Sequence, residues 1–373
     1  MKYSFPIKWQ KKIDDSFKRN LLDYSNNIDF ASNDYLGFSK NAKIKCLFQK
    51  HINNLHLSGS AGSRLISGNR KWIEDIEKKI ASFHNAENAL IFPSAYQANV
   101  GLFSCIADRN DLYLIDEHIH ASVYDGIRLS FAKYYKFQHN NFEHLQKLIQ
   151  QHYLKFENIF VVVESLYSMD GDIPDIQQLL SLIDNEKVFL IVDEAHAFGI
   201  MGENNLGLFN SKSLAEKCVA RIVGYGKAAG FSGAAIVGSD VLKNYLINFC
   251  RSFIFSTGLP LYHYQIIEHL YNEIMNHSDT EINQLNANIN AYLNEVKDSM
   301  LFSHNTSPIQ YVLISNMDFK PIQNIILENK FFAKVILPPT VPPNQERIRI
   351  SLHSFNTKDE IISFIQLIKK IIT

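Results

Sequence analysis

The sequence predicts an α/β fold with a mostly parallel central sheet and a smaller C-terminal α+β unit. Three observations predict it. First, short apolar runs at 89–92, 112–115, 159–163, 188–192, 221–223 and 234–237 are near-continuous rather than alternating. Strands covered on both faces read this way. Second, stretches of helical period fill the gaps, for example 72–83 and 142–151. Strand, helix, strand at this spacing implies crossovers and parallel neighbours. Third, the texture changes after about residue 259, where two long helical stretches (262–276 and 281–299) lead into shorter strands.

Taken in order, the chain divides into three parts. Residues 1–40 form a segment that packs on the smaller unit or covers a cleft. Residues 41–260 form the large α/β domain and residues 261–373 the C-terminal α+β domain. Within the last part, residues 347–352 (Arg-Ile-Arg-Ile-Ser-Leu) alternate with period two. That pattern predicts a half-exposed antiparallel strand. Residues 359–372 close the chain as an amphipathic helix.

Composition narrows the function classes. The 373 residues carry a net charge of -1, with 20% charged and 46% hydrophobic residues. This balance gives no basic bias toward nucleic acid and no acidic bias toward disorder. The four cysteines (Cys46, Cys105, Cys218 and Cys250) are far apart and form no metal or disulfide framework. No apolar run approaches the ~20 residues of a membrane span. The opening residues, MKYSFPIKWQKKIDD, lack the apolar core of a signal peptide. A cytoplasmic protein without nucleic-acid or membrane partners is expected.

Open parallel sheets bind ligands outside the carboxyl ends of their strands. Polar sets follow the apolar runs here: Ser94-Ala95-Tyr96, His118 and His120, Glu164 to Asp172, Asp193-Glu194-Ala195-His196, and Lys227. Together they match the needs of pyridoxal phosphate. The cofactor needs a lysine for its Schiff base and a carboxylate for its ring nitrogen. Lys227 and Asp193 are the candidates. Its phosphate suits amide groups at a helix start, here Ser94, Ala95 and Tyr96. His120 could lie over the ring. Each residue taken singly has a plain structural reading, and the joint pattern carries the argument.

Other readings compete. Asp193-Glu194-Ala195-His196 spells the acidic box of a helicase, but no GxxxxGK[ST] phosphate loop lies upstream. No GxGxxG follows a strand, which disfavours a dinucleotide oxidoreductase. His196, Asp193 and His120 as metal ligands is a loosely supported alternative.

At this point the residues resemble a known family, the α-oxoamine synthases, which are pyridoxal-phosphate enzymes of the fold-type I class. The resemblance runs from about residue 28 to the C-terminus. It rests on Ser32-Asn33-Asp34-Tyr35-Leu36-Gly37, Gly59-Ser60-Ala61-Gly62-Ser63-Arg64, and Ser94-Ala95-Tyr96-Gln97-Ala98-Asn99. It continues through His120-Ala121-Ser122, Ser168-Met169-Asp170-Gly171-Asp172, Asp193-Glu194-Ala195-His196 and Gly226-Lys227-Ala228. Ser256-Thr257, Pro338-Pro339-Thr340-Val341-Pro342 and Arg347-Ile348-Arg349 complete it.

The resemblance implies a role for each matching position. Lys227 carries the cofactor and moves the Cα proton, and Asp193 pairs with the pyridine nitrogen. His196 and Ser168 bind the ring oxygen, while His120 stacks on the ring. Ser94, Ala95 and Tyr96 hold the phosphate, helped by Ser256 or Thr257 of a second subunit in a homodimer with shared sites. Arg349 clamps the amino-acid carboxylate, a bidentate task suited to a guanidinium. Asn33 assists it, and Thr340 lies near the substrate.

The implied reaction is the decarboxylative condensation of an L-amino acid with an acyl thioester on coenzyme A or a carrier protein. L-alanine with a pimeloyl thioester, as in biotin biosynthesis, is the expected pair, and Arg19 is the candidate cation for the pimeloyl carboxylate. Alternatives are sibling reactions: glycine with an acetyl or succinyl thioester, serine with a long acyl thioester, or synthesis of an acyl-aminoketone. A non-catalytic subunit is a further alternative that retention of Lys227 disfavours. Two departures from the family pattern are noted. Gly224 stands where a phosphate-binding hydroxyl residue is usual, and Ala95 stands where glycine is usual. Weaker cofactor retention is the expected result.

Overall fold

The computed structural model describes residues 21, 23–53, 58–315 and 317–372. A short strand, β1 (Ile28–Asp29), opens the described fold. A seven-stranded sheet follows, built from β2 (Asn88–Phe92), β3 (Leu112–Asp116), β4 (Lys133–Phe137), β5 (Ile159–Glu164), β6 (Val188–Asp193), β7 (Cys218–Gly224) and β8 (Ala234–Gly238). Its order is β2-β8-β7-β6-β5-β3-β4. Every neighbour pair is parallel except those of β8, which runs antiparallel to both β2 and β7. The carboxyl ends of the six parallel strands therefore share one edge.

The apolar runs become strands because both sheet faces are covered. Strands β2, β3 and β5 are buried at every position. One apolar cluster on the sheet contains Leu90, Val123 and Ile236, and another contains Leu145, Val161 and Leu179. Strand β4 escaped the periodicity reading because it is an edge strand, exposed at four of its five positions. Its Lys133 and Lys136 keep that edge soluble.

The C-terminal part holds β9 (Ile309–Leu313), β10 (Phe331–Phe332), β11 (Lys334–Ile336) and β12 (Arg347–Ser351). Strands β11, β12 and β9 form an antiparallel sheet, and β10 pairs in parallel with β1. Strand β12 corrects the expectation of a half-exposed strand, since all five of its residues are buried. The alternating polar positions are Arg347 and Arg349, whose guanidinium groups turn into the loop after β5 rather than into water. Arg347 donates to Asp170 at 2.7 Å and to the Met169 carbonyl at 3.1 Å.

That loop bends at Gly171, where φ is +74° and an added Cβ would lie 2.1 Å from the Ile309 carbonyl oxygen. Only glycine lets the loop after β5 approach β9 so closely. Among the described residues, no helix is long and apolar enough to cross a membrane.

Candidate active site

Lys227 sits in the tight connection between β7 and β8. The turn is closed by Gly230 N–H to the Lys227 carbonyl (2.8 Å) and Phe231 N–H to the Tyr225 carbonyl (3.0 Å). Among the described residues, the Lys227 amine forms no ion pair. Burial lowers its pKa to about 8, against the pull of the Asp193 and Glu164 carboxylates and with help from the Arg349 charge. A lysine tuned this way is neutral about a tenth of the time at pH 7, far more than an ordinary lysine, as a nucleophile or base requires.

Two carboxyls face this amine from adjacent strand ends. Glu164 and Asp193 are register partners in the parallel β5–β6 pair, so they project from the same face. Asp193 is held by Asn99 Nδ2 at 2.7 Å and by the Ala195 amide at 2.9 Å. Asn99 also donates to Ser122 Oγ at 3.0 Å. Glu164 is 2% exposed and its Oε1 has no hydrogen-bond partner. Burial and the nearby Asp193 charge push its pKa up to about 8.

His196 follows Asp193 on the same loop and is buried. Its Nδ1 lies 2.8 Å from the Tyr35 hydroxyl, which is 3.3 Å from Asn33 Oδ1. The hydroxyl proton goes to Asn33 Oδ1, which as an amide oxygen can only accept. Burial and the charges of Lys227 and Arg349 hold His196 well below its ordinary pKa, so the ring is neutral.

Arg349 closes the group from the other sheet. It donates to the Ser168 carbonyl (2.7 Å), Ser351 Oγ (2.8 Å) and Asn33 Oδ1 (3.0 Å). All three acceptors are neutral. Among the described residues, no carboxylate pairs with this guanidinium, which is 6% exposed. Arg347, two residues away, has Asp170 as its counterion and lies 4.4 Å from the Tyr311 ring centre.

The helix Ala95–Cys105 points its start toward the Lys227 turn. Ser94 caps it, accepting from the Gln97 amide at 3.2 Å, which leaves the first-turn amides of Ala95 and Tyr96 outside the cap. The Tyr96 side chain turns away to donate to Asp125 at 2.6 Å. His120 begins the next helix, with Nδ1 held by Ser122 Oγ at 2.7 Å, and its pKa is lowered by burial despite Asp193.

The two departures from the family pattern are neighbours in space. A Cβ added at Gly224 would lie 2.8 Å from the Ala195 Cβ and 3.6 Å from the Ala95 Cβ. Packing, then, excludes a side chain at position 224 while Ala195 stays in place, whereas the Ala95 distance is an ordinary contact. Ala95 opens its helix and is absent from the positive-φ residues, so its Cβ brings no backbone strain.

Lys227, Asp193, His196, His120, Asn33, Arg349, Ser168, Ser94, Ala95 and Tyr96 thus gather at one edge. A cavity of about 810 Å³ opens beside them, with His120, Ser168, Thr340 and Arg347 in its wall. Ser256 and Thr257 stand apart. Thr257 bridges to Ser63, and neither residue hydrogen-bonds to the Lys227 group. Arg19 lies outside the described residues.

The acidic-box reading has a structural answer. The Glu194 carboxylate is buried and accepts the Phe209 and Leu208 amides at 2.7 and 3.0 Å. It pins a loop. The metal alternative fares no better: Asp193 and His196 are engaged by Asn99 and Tyr35, and among the described residues the acid and imidazole atoms that cluster closely are those of His118, His139 and Asp170. Three contributors stand in the quoted motifs and polar sets without an assigned role: Glu164, Tyr35 and Asn99. Glu164 ends an apolar strand beside Asp193, and that position was its one signal.

The donor set fits pyridoxal phosphate. It offers an unpaired lysine, a carboxylate fixed by two donors, a neutral buried histidine, and amides at a helix start. Asn99 Oδ1, buried without a partner, is a further polar atom in this group.

Comparisons agree with this geometry. Residues 25–365 match the family described as aminotransferase class I and II. The chain is 34% identical over 368 residues to 8-amino-7-oxononanoate synthase of Emericella nidulans, covering 92% of this chain and 89% of that one. It is 29% identical to the crystal structure of 8-amino-7-oxononanoate synthase from Francisella tularensis, with TM-score 0.80 over 93% of this chain and 98% of that one. Serine palmitoyltransferase of Sphingomonas wittichii superposes with TM-score 0.87 at 23% identity, over 98% of this chain and 95% of that one, a likeness of fold. The chain belongs to the α-oxoamine synthases, acyl-transferring enzymes within the aminotransferase class I and II family.

Proposed function

We propose that this chain joins L-alanine to a pimeloyl thioester, releasing the thiol and carbon dioxide and forming 8-amino-7-oxononanoate. The observation that carries the amino-acid half is Arg349, a buried guanidinium with three neutral acceptors and no carboxylate of its own. Such a group is completed by a substrate carboxylate. The relatives' names support the acyl half.

Pyridoxal phosphate, when bound, supplies the electron sink for the pair left on the amino-acid Cα. Lys227 would hold it covalently, with Asp193 at its ring nitrogen and His196 and Ser168 at its ring oxygen. His120 would cover its face, and Ser94 with the Ala95 and Tyr96 amides would hold its phosphate. The released Lys227 amine takes the Cα proton and later returns one, which its lowered basicity suits. Arg349, steered by Asn33, fixes the carboxylate. Thr340 and the cavity it lines take the acyl thioester. A second copy would contribute Ser256 and Thr257. Exposed Phe255 and Ile66, near the Ser63–Thr257 bridge, supply apolar surface for that contact.

The test is thiol release by the purified protein with pyridoxal phosphate, L-alanine and pimeloyl-CoA, with Lys227→Ala as control. Glycine, serine, acetyl-CoA and palmitoyl-CoA run alongside. Release confined to alanine with pimeloyl-CoA supports the reading. Release with another pair keeps the chemistry and replaces the substrates.

A further inference from the structure

The opposite edge of the sheet carries a second concave site. It is a cavity of about 540 Å³ at the amino-terminal ends of β3, β4, β5 and β6, far along the strands from Lys227. Arg109, Lys133, Lys155 and Lys187 line it, and Glu157 is the single acid in its wall. None of these four cations belongs to a salt bridge among the described residues, whereas Lys43, Lys79, Lys217 and Lys243 elsewhere do. Arg109 and Lys187 instead lie over aromatic rings, at 4.9 Å from Phe131 and 5.6 Å from Tyr153.

The floor of the site is built rather than incidental. His152 is 5% exposed, and its Nδ1 is buried with no hydrogen-bond partner. Its ring stacks on Tyr135, with centroids 4.6 Å apart and planes 12° from parallel. Tyr135 stays 41% exposed. The His152 pKa is lowered by burial and by the charges of Lys155 and Lys133. Unpaired charges of one sign around a concavity raise the local concentration of counter-ions. The volume suits a small molecule, and the exposed Tyr135 offers a ring on which a planar group can stack.

We propose that this cavity binds a phosphorylated small molecule of the nucleotide class, with its phosphates among Lys133, Lys155, Arg109 and Lys187 and its planar ring against Tyr135. Free pyrophosphate presents the same phosphate chemistry without the ring.

Calorimetric titration of the cofactor-loaded protein with ATP, pyrophosphate and inorganic phosphate tests this at low and physiological salt. ATP is expected to bind once per chain, more tightly than pyrophosphate and more weakly as salt rises. The Lys133→Ala/Lys155→Ala double variant should lose at least tenfold in ATP affinity while keeping its melting temperature and its thiol-release rate. Tyr135→Ala should erase the advantage of ATP over pyrophosphate. In a histidine-resolved NMR titration, the His152 pKa should rise when pyrophosphate is present. Equal binding of pyrophosphate and ATP by the wild type would keep the phosphate site and overturn the nucleotide class. Two results would overturn the site itself: no binding at millimolar ATP, or affinity indifferent to the double variant. Tighter capture of an oligonucleotide or an acidic peptide through the same lysines would also overturn it.

Discussion

Arg349 Nη2 donates to Asn33 Oδ1 at 3.0 Å, joining residues 316 positions apart in the chain. The contact places the substrate-facing guanidinium by a neutral partner, leaving its charge uncompensated within the described residues. Arg349→Lys should therefore raise KM for the amino acid and lower kcat/KM by roughly 10- to 100-fold, the equivalent of a charge-assisted hydrogen bond worth ~1.5–3 kcal/mol. Asn33→Ala should do the same more mildly. Steady-state kinetics in L-alanine checks this, and an unchanged KM in Arg349→Lys would remove the carboxylate role.

Tyr35 bridges two site residues, with its hydroxyl 2.8 Å from His196 Nδ1 and donating to Asn33 Oδ1 at 3.3 Å. In Tyr35→Phe both contacts disappear, and the loss should be about 1 kcal/mol. The measurement is cofactor affinity together with the pH dependence of the cofactor absorbance. Wild-type values for both would show that the hydroxyl serves packing alone.

Glu164 is buried with its pKa pushed up to about 8, chiefly by burial. It is mostly protonated at pH 7, so Glu164→Gln should preserve activity there. Above pH 8 the wild type gains a negative charge beside Lys227 and the glutamine variant does not, so their pH–rate profiles should part. Superimposable profiles from pH 6 to 10 would show that Glu164 does not titrate in this range.

Position 224 is closed by packing. Gly224→Thr should destabilise the chain by ~1–3 kcal/mol through overpacking against Ala195, without tightening cofactor binding. Restoring room with Ala195→Gly in the same chain should recover part of that loss, read from urea midpoints. A fully stable single variant with tighter cofactor binding would mean that the loop yields readily.

His139 donates from both ring nitrogens, to Asp116 and Asp172, each at 2.9 Å. Burial alone would lower its pKa, yet the two carboxylates raise it from 6.5 to about 10. Because the folded pKa is raised, this stabilisation is full below pH 6.5 and is lost as pH climbs through 10. The advantage of wild type over His139→Gln, on the order of 2–4 kcal/mol at pH 6, should shrink steadily toward pH 10. Chemical denaturation across that range measures it, and a constant difference would mean that the ring is not held as a cation.

Much of the fold and the site is legible in local chemistry alone. Runs such as 159–163 and 188–192 announce doubly covered strands, and ligand-facing residues follow such strands, so Lys227, Asp193 and His120 stand out by position. Ser94 at a helix start is readable for the same reason. Strand β12 misleads because alternation reports the polarity of side chains and is silent on their partners. Two arginines in alternate positions look solvated, yet Asp170 and the Ser168 carbonyl lie opposite them.

By itself, the sequence determined the α/β class, the strand ends that face the ligand and the family, because periodicity and motif spacing are properties of neighbouring residues. Only the tertiary structure decided which groups face one another. Glu164 beside Asp193 depends on strand register. Tyr35 on His196 and Asn33 on Arg349 depend on closing loops of 161 and 316 residues. The steric closure of Gly224 by Ala195 depends on packing. The unpaired cations around His152 depend on which strand ends share an edge. Such contacts are fixed by the free energy of the whole core, which no local window of sequence contains.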